Sequence, residues 1–192
     1  MKGDSAALFA ALRFAAEAHD GQLRKGTRIP YLIHPLRVAK LLLEQDCPEE
    51  LAIAGLLHDT VEDTSATLEE VRAIFGERVA QLVEFATEPA HLWSWEQRKQ
   101  HTIDLLQTGE PDALLVSIAD KLDNIRSIRE ELERCGEAAW DRFKRPRAQQ
   151  RWYYESLRRI FDERLASLAG LALASKFRIE VETVFGPPAP VD

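Results

Sequence analysis

The chain has 192 residues, of which 45% are hydrophobic and 30% are charged, so it is long enough to bury one sizeable core. Its formal net charge of −7 argues against a general DNA- or RNA-binding protein, because such proteins neutralise phosphates with a basic surface. No run approaches the roughly 20 apolar residues of a membrane span, and the N-terminus lacks the pattern of a signal peptide. We therefore expect a cytoplasmic protein with neither a nucleic acid nor a membrane as partner.

Helical signals recur along the chain, whereas strand-like alternation is scarce. Pro35 suits the first position of a helix, which places His34 at the mouth of that helix. Thr67 and Glu70 have the spacing of a capping box, which marks another helix start. Amphipathic spacing predicts further helices over three segments: 6–18, 77–86 and 147–165. The predicted fold is an all-α bundle, with one domain over residues 1–185 and an extended tail over 186–192.

An apolar run over 51–57 ends in four polar side chains that could bind protons or a metal. In a continuous helix His58 shares a face with the apolar residues and points inward, while Asp59 lies about 100° around the axis. Glu62 and Asp63 follow one turn later. A buried core histidine and a solvated acidic helix end are the plainer explanations, but several carboxylates beside an apolar face need a compensating cation.

Asp120 interrupts an apolar stretch over 113–119 that is predicted to be a buried helix. A buried aspartate needs a partner, which is either a metal or a cation such as Lys121 or Arg126. With His34 and the preceding candidates, the chain offers two imidazoles and two carboxylates. Such a set of nitrogen and oxygen donors suits a divalent transition metal and leaves coordination positions for water and substrate.

In their order along the chain, His34, the His58-Asp59 doublet and Asp120 resemble the H…HD…D pattern of the HD-domain metal-dependent phosphohydrolases. Other segments are similar to the hydrolase domain of the RelA/SpoT alarmone enzymes and to the stand-alone small alarmone hydrolases: 18–27, 30–39, 56–64, 75–76 and 119–126. The resemblance implies an HD-domain helical bundle with the metal among its core helices. It implies manganese as the metal, held by His34, His58, Asp59 and Asp120.

The same resemblance implies the reaction and the substrate contacts. Glu62 and Asp63 are expected to handle the attacking water, and the reaction removes pyrophosphate from the 3′ position of ppGpp or pppGpp. Arg24 is expected to pack against the guanine and Asn124 to lie by the nucleoside. Lys25 is a further substrate contact, because a substrate with many negative charges needs local cations. An ordinary solvated charge is the alternative for Lys25.

The sequence departs from the alarmone hydrolases after Thr87 and again beyond about residue 135. These regions complete the nucleotide pocket in such a fold, so another phosphorylated nucleotide is the alternative substrate, such as ppApp or the 2′-phosphate of NADPH. A non-catalytic nucleotide-sensing module is a second alternative. It is disfavoured because all ligand positions and the Glu62-Asp63 pair are present. The expected partner is a small phosphorylated nucleotide, and the sequence leaves open whether the chain forms a homo-oligomer.

Overall fold

The computed structural model of the protein describes residues 5–88 and 93–187. Ten α-helices and one 3-10 helix follow one another in these residues: α1 Ala6–Ala18, α2 Ile33–Leu43, α3 Glu49–Leu57, α4 Thr60–Asp63, α5 Leu68–Phe75, α6 Glu77–Ala86, α7 Trp95–Thr108, α8 Pro111–Cys135, the 3-10 helix Gly136–Arg142, α9 Arg147–Arg164 and α10 Leu168–Phe185. The only β pairing within the described residues is an isolated antiparallel bridge between Leu23 and Pro30. None of the helices in this part of the chain has both the length and the apolar character needed to cross a membrane. The all-α prediction is confirmed.

Helix α3 lies at the centre of the bundle because it has no polar face. Every residue from Leu51 to Leu57 is buried, and the helix packs against α1, α2, α6 and α8. The first half of α8 is buried in the same way, up to Asp120. The apolar run of α3 therefore leads directly into His58, which is itself buried.

Gly55 allows α2 and α3 to approach each other closely. A Cβ atom at this position would lie 3.0 Å from Leu42 Cδ1 and 3.1 Å from Val38 Cγ1, both on α2. Such contacts are tighter than normal packing permits, so a larger residue would push the helices apart. This close approach matters for the site because α2 carries His34 and α3 leads into His58.

Several predicted helix boundaries agree with the structure. The capping box is formed, with the Thr67 side chain accepting a hydrogen bond from the backbone of Glu70 and the Glu70 side chain bonding back. Helices α1 and α6 have their predicted bounds, and α9 begins directly after Pro146. Helix α10 ends at Phe185, and residues 188–192 of the predicted tail lie outside the described residues.

The predicted start of α2 at Pro35 was wrong by two residues. The helix begins at Ile33, so His34 is its second residue and Pro35 its third. The N–H groups of the first turn have no partner inside a helix, and a proline there loses no hydrogen bond. His34 still lies in the first turn of α2.

Candidate active site

The four predicted metal ligands converge on one point. Nε2 of His34 is 3.1 Å from Oδ1 of Asp120 and 3.5 Å from Oδ2 of Asp59. Nε2 of His58 is 2.9 Å from Oδ2 of Asp59 and 3.6 Å from Oδ1 of Asp120. Ligand atoms of His34, His58 and Asp120 all lie within 4.8 Å of one another. His34, His58 and Asp120 thus form a group of donors that could hold a divalent ion, and the Asp59 carboxylate lies beside both histidines.

The outer nitrogen of each imidazole has its own hydrogen-bond acceptor. Nδ1 of His34 lies 2.7 Å from the Asp123 carboxylate, and Nδ1 of His58 lies 2.9 Å from the carbonyl oxygen of Gly55. These acceptors favour the tautomer with hydrogen on Nδ1 and an unprotonated Nε2 toward the centre. Both rings are therefore oriented for metal coordination without rotating.

Two observations indicate that the centre needs a positive charge. Nε2 of His58 is buried and, although Oδ2 of Asp59 lies 2.9 Å away, it has no partner in hydrogen-bond geometry in the described part of the chain. Burial alone would lower the pKa of His58, but Asp59 and Asp120 outweigh burial and raise it. A proton or a metal ion is thus stabilised among these groups, and the residues fit a resident cation.

The two carboxylates have partners both inside and outside the centre: the histidines lower the pKa of each, and Lys121 and Tyr31 contact them from outside. Burial alone would raise the pKa of Asp120. Lys121, which is 2.7 Å from Oδ2, and the two histidines outweigh burial and lower the pKa below its ordinary value. The hydroxyl of Tyr31 donates a hydrogen bond to Oδ2 of Asp59 at 2.5 Å. Lys121, the alternative to a metal as partner of Asp120, does contact this carboxylate. It contacts Oδ2, however, whereas Oδ1 faces His34.

The prediction of one continuous helix through His58 and Asp59 was wrong. Helix α3 ends at Leu57 and α4 begins at Thr60, whose hydroxyl donates to the Leu57 carbonyl at 2.7 Å. The helical hydrogen-bond ladder is therefore broken at the doublet. This turn brings the two side chains together, whereas a regular helix would keep them about 100° apart.

Glu62 and Asp63 lie on α4, directly after the metal centre. Oε2 of Glu62 accepts a hydrogen bond of 2.9 Å from the backbone N–H of Glu88. Burial is the main cause that raises the pKa of Glu62 and of Asp63, and the charge of Asp59 adds to both. Raised pKa values make these carboxylates better proton acceptors near neutral pH.

A cavity of about 700 Å³ adjoins the centre and is lined by all three predicted substrate contacts, Arg24, Lys25 and Asn124. His34 and Asp123 also line it, so the cavity reaches one of the four candidate metal ligands. Its volume is within the usual range for small-molecule sites.

Arg24 is ordered by α8 before any ligand arrives. Its guanidinium donates to Asn124 Oδ1 at 3.3 Å, to Asp123 Oδ2 at 3.3 Å and to Ser127 Oγ at 2.9 Å. It also lies 5.8 Å from the centre of the Tyr31 ring. The exposed side chain of Lys25 lies beside it in the loop closed by the Leu23–Pro30 bridge.

Sequence reasoning missed three residues that support the site: Asp123, Tyr31 and Glu88. Asp123 had a detectable signal, since it lies three residues after Asp120 in the same apolar helix and cannot be buried without a partner. Tyr31 and Glu88 reach the site only through contacts across 28 and 26 residues of chain. No local pattern predicts such contacts.

Comparisons with known proteins identify the family to which the chain belongs. An HD domain family model matches residues 11–144. The mouse and human proteins named guanosine-3′,5′-bis(diphosphate) 3′-pyrophosphohydrolase MESH1 are 39% and 40% identical over 143 residues, which cover 73% of this chain and 77% of each relative. An Aquifex aeolicus protein named guanosine-3′,5′-bis(diphosphate) 3′-pyrophosphohydrolase is 45% identical over 120 residues, or 62% of this chain. This chain spans only 17% of that relative's length.

Two solved structures share the fold. The Listeria monocytogenes protein lmo0812 superposes with a TM-score of 0.74 and 37% identity over 80% of this chain and 99% of that one. A structure described as a metazoan ortholog of SpoT that hydrolyzes ppGpp has a TM-score of 0.73 and 28% identity over 93% of this chain and 98% of its own. The match over residues 11–144 and the similarity to the MESH1 proteins show that this chain belongs to the HD-domain family, in the group of the 3′-pyrophosphohydrolases.

Proposed function

We propose that this chain is a metal-dependent hydrolase that removes the 3′-diphosphate of ppGpp or pppGpp and releases pyrophosphate with GDP or GTP. The observation that carries the proposal is the four-ligand centre beside a cavity lined by Arg24, Lys25 and Asn124. The names of the MESH1 relatives support guanosine substrates.

We propose manganese as the resident metal, held by His34, His58, Asp59 and Asp120. Histidine nitrogens together with carboxylate oxygens, and no thiolate, suit such an ion. A divalent ion bound here would lower the pKa of a water molecule and polarise the phosphoryl group.

Glu62 and Asp63 are the proposed proton carriers. Hydrolysis breaks the bond between the 3′ oxygen and phosphorus, so the attacking water loses a proton and the 3′ oxygen gains one. Their raised pKa values favour both the acceptance and the return of a proton near neutral pH.

Three residues of the cavity are proposed to contact different parts of the nucleotide. The edges of the Arg24 guanidinium are bonded to α8, which leaves its flat face for stacking on a base. The side chain of Lys25 is exposed, so its ammonium can pair with a phosphate of the nucleotide. Asn124 donates to Oδ1 of Asp120 at 2.5 Å, so it links the nucleoside region to the metal centre.

The first test incubates metal-stripped protein with ppGpp, with and without manganese, and follows GDP and pyrophosphate by ion-exchange chromatography. Manganese-dependent release of both products in equal amounts is expected. Release from ppApp or NADPH but not from ppGpp would refute the guanosine assignment. Binding of these nucleotides without turnover of any of them would indicate a sensing module.

Two variants separate metal binding from proton transfer. We expect Asp59→Ala to lose both the metal and activity, because a ligand is removed. We expect Glu62→Gln to keep a full equivalent of metal and to lose about 100-fold or more in kcat, the scale of general base catalysis. Metal content and steady-state rates measured on the same preparations check both. Normal hydrolysis by Glu62→Gln would exclude the proton-transfer role.

A further inference from the structure

Glu88 links the proposed proton carrier Glu62 to a different part of the molecule. It follows Thr87, the residue that caps the C-terminus of α6, and its backbone N–H donates to Oε2 of Glu62 at 2.9 Å. Glu62 is half-buried, and the bond from the Glu88 N–H is the only hydrogen bond that its side chain makes within the described residues. One carboxylate oxygen is thereby fixed, and Oε1 remains for a water molecule.

The side chain of Glu88 is in turn held by two cations of α7. Arg98 donates to Oε2 at 2.9 Å and Lys99 donates to Oε1 at 2.5 Å. The side chain of Glu88 is only 13% exposed, so these ion pairs are shielded from solvent. The Lys99 ammonium also lies 5.1 Å from the centre of the Tyr153 ring on α9.

The direction of the Glu88 N–H depends on the backbone around it. The backbone N–H of Thr87 still bonds to the carbonyls of Val83 and Glu84, whereas Glu88 lies beyond this ladder, so no continuing helix orients its N–H group. The two ion pairs on the Glu88 side chain supply the missing constraint, because they hold the residue against α7. A carboxylate misplaced by about 1 Å can lose about 100-fold in rate, so this constraint bears on catalysis.

We propose that Glu88 is a positioning residue for Glu62: its ion pairs with Arg98 and Lys99 orient its backbone N–H, which fixes the carboxylate that handles the attacking water. The kinetic part of this inference rests on the proposed function. Glu88 does not contact the reacting atoms in this role and acts only through Glu62.

The kinetic test compares Glu88→Ala with Glu84→Gln, a change at an exposed glutamate one turn earlier on α6. We expect Glu88→Ala to lower kcat with ppGpp about 10-fold or more and to change KM less than 2-fold, because orientation rather than binding is lost. Glu88→Asp should recover part of the rate, and Glu84→Gln should match the wild type. In a Glu62→Gln background, Glu88→Ala should cause little additional loss. Independent, multiplicative losses in the double variant would overturn the proposal.

A second measurement does not depend on turnover. Amide hydrogen exchange at Glu88 should be at least 10-fold faster in Glu62→Ala than in the wild type, while exchange at Val83 inside α6 stays unchanged. Unchanged exchange at Glu88 would show that the hydrogen bond to Glu62 does not form and would overturn the proposal. If ppGpp is not hydrolysed by the wild type, the proposed function fails, and the exchange result still decides whether Glu88 holds Glu62.

Discussion

Asp123 is not a candidate metal ligand, but it contacts two residues of the candidate site. Its carboxylate oxygen Oδ2 lies 2.7 Å from Nδ1 of His34 and 3.3 Å from the Arg24 guanidinium. The side chain is only 4% exposed. One buried charge therefore orients a metal ligand and a nucleotide-pocket residue at the same time.

We expect Asp123→Ala to weaken manganese binding by about 10- to 100-fold, because removing an orienting partner of a ligating histidine has effects of this size. Titration of metal-stripped protein against a competing chelator measures the change. The matched control is Asp141→Ala, which removes an exposed aspartate from the 3-10 helix. Equal metal affinity in both variants would contradict the orienting role of Asp123.

Arg24 and Lys25 are neighbours with different expected contributions to stability. Arg24→Ala should raise KM for ppGpp and also lower the free energy of unfolding by about 1 to 3 kcal/mol, because it removes the charged hydrogen bond to buried Asp123 together with those to Asn124 and Ser127. Lys25→Ala should raise KM with little change in stability, because its side chain is exposed. Urea unfolding and steady-state kinetics on both variants test this difference. An unchanged KM in Arg24→Ala would remove Arg24 from the nucleotide pocket.

At the scale of single helices, the sequence predicted the features that depend only on residues close together in the chain. The capping box at Thr67, the start of α9 after Pro146 and the apolar character of α3 all follow from nearest neighbours in the chain. The break between α3 and α4 was not predicted, because His58 and Asp59 are compatible with a helix and no glycine or proline marks the turn. The partners Tyr31 and Glu88 were beyond prediction because tertiary packing alone brings them to the site, whereas the place of Asp123 in the apolar helix could have marked it.

The capping box makes a prediction that is purely structural. Thr67→Ala should lower the free energy of unfolding by about 1 kcal/mol, since the backbone N–H of Glu70 loses its acceptor. Thr67→Ser keeps the hydroxyl and should retain most of the stability. The rate of ppGpp hydrolysis should be unchanged in both. Urea denaturation provides the measurement, and equal stability of the two variants would show that the cap contributes nothing.

At the scale of the whole molecule, the candidate metal ligands and the proposed proton carriers are supported by different helices. Helices α2, α3 and α8 pack on one another and position the four ligands. Helix α7 packs on α9 and reaches Glu62 through Glu88. The ion pairs of Glu88 therefore join α7 to the segment that follows α6.

These ion pairs give the stability of the protein a defined pH dependence. Burial raises the pKa of Glu88, but Lys99 and other cations outweigh it and lower the pKa below its ordinary value. A carboxyl whose folded-state pKa is lowered contributes stability above its unfolded pKa, about 4.3 for glutamate, and loses it as pH falls through the folded pKa.

We therefore expect Glu88→Gln to lower the free energy of unfolding by about 1 to 3 kcal/mol above pH 5, with the difference from wild type shrinking below pH 4. Urea unfolding of both proteins between pH 3 and pH 7 tests this. Glu84→Gln serves as the control, with no pH-dependent difference expected. A difference between Glu88→Gln and wild type that is the same at pH 3 and pH 7 would contradict the prediction.

The contact of Arg24 and His34 with the same oxygen of Asp123 has a thermodynamic consequence. A ligand that draws the guanidinium away from Asp123 changes the charge and orientation that His34 experiences, and with them the affinity of the centre for its ion. Because such coupling is reciprocal, occupancy of the centre must change the affinity for that ligand by the same factor. The apparent affinities for such a ligand and for the ion are thus conditional on each other, and each has a definite value only at a stated concentration of the other.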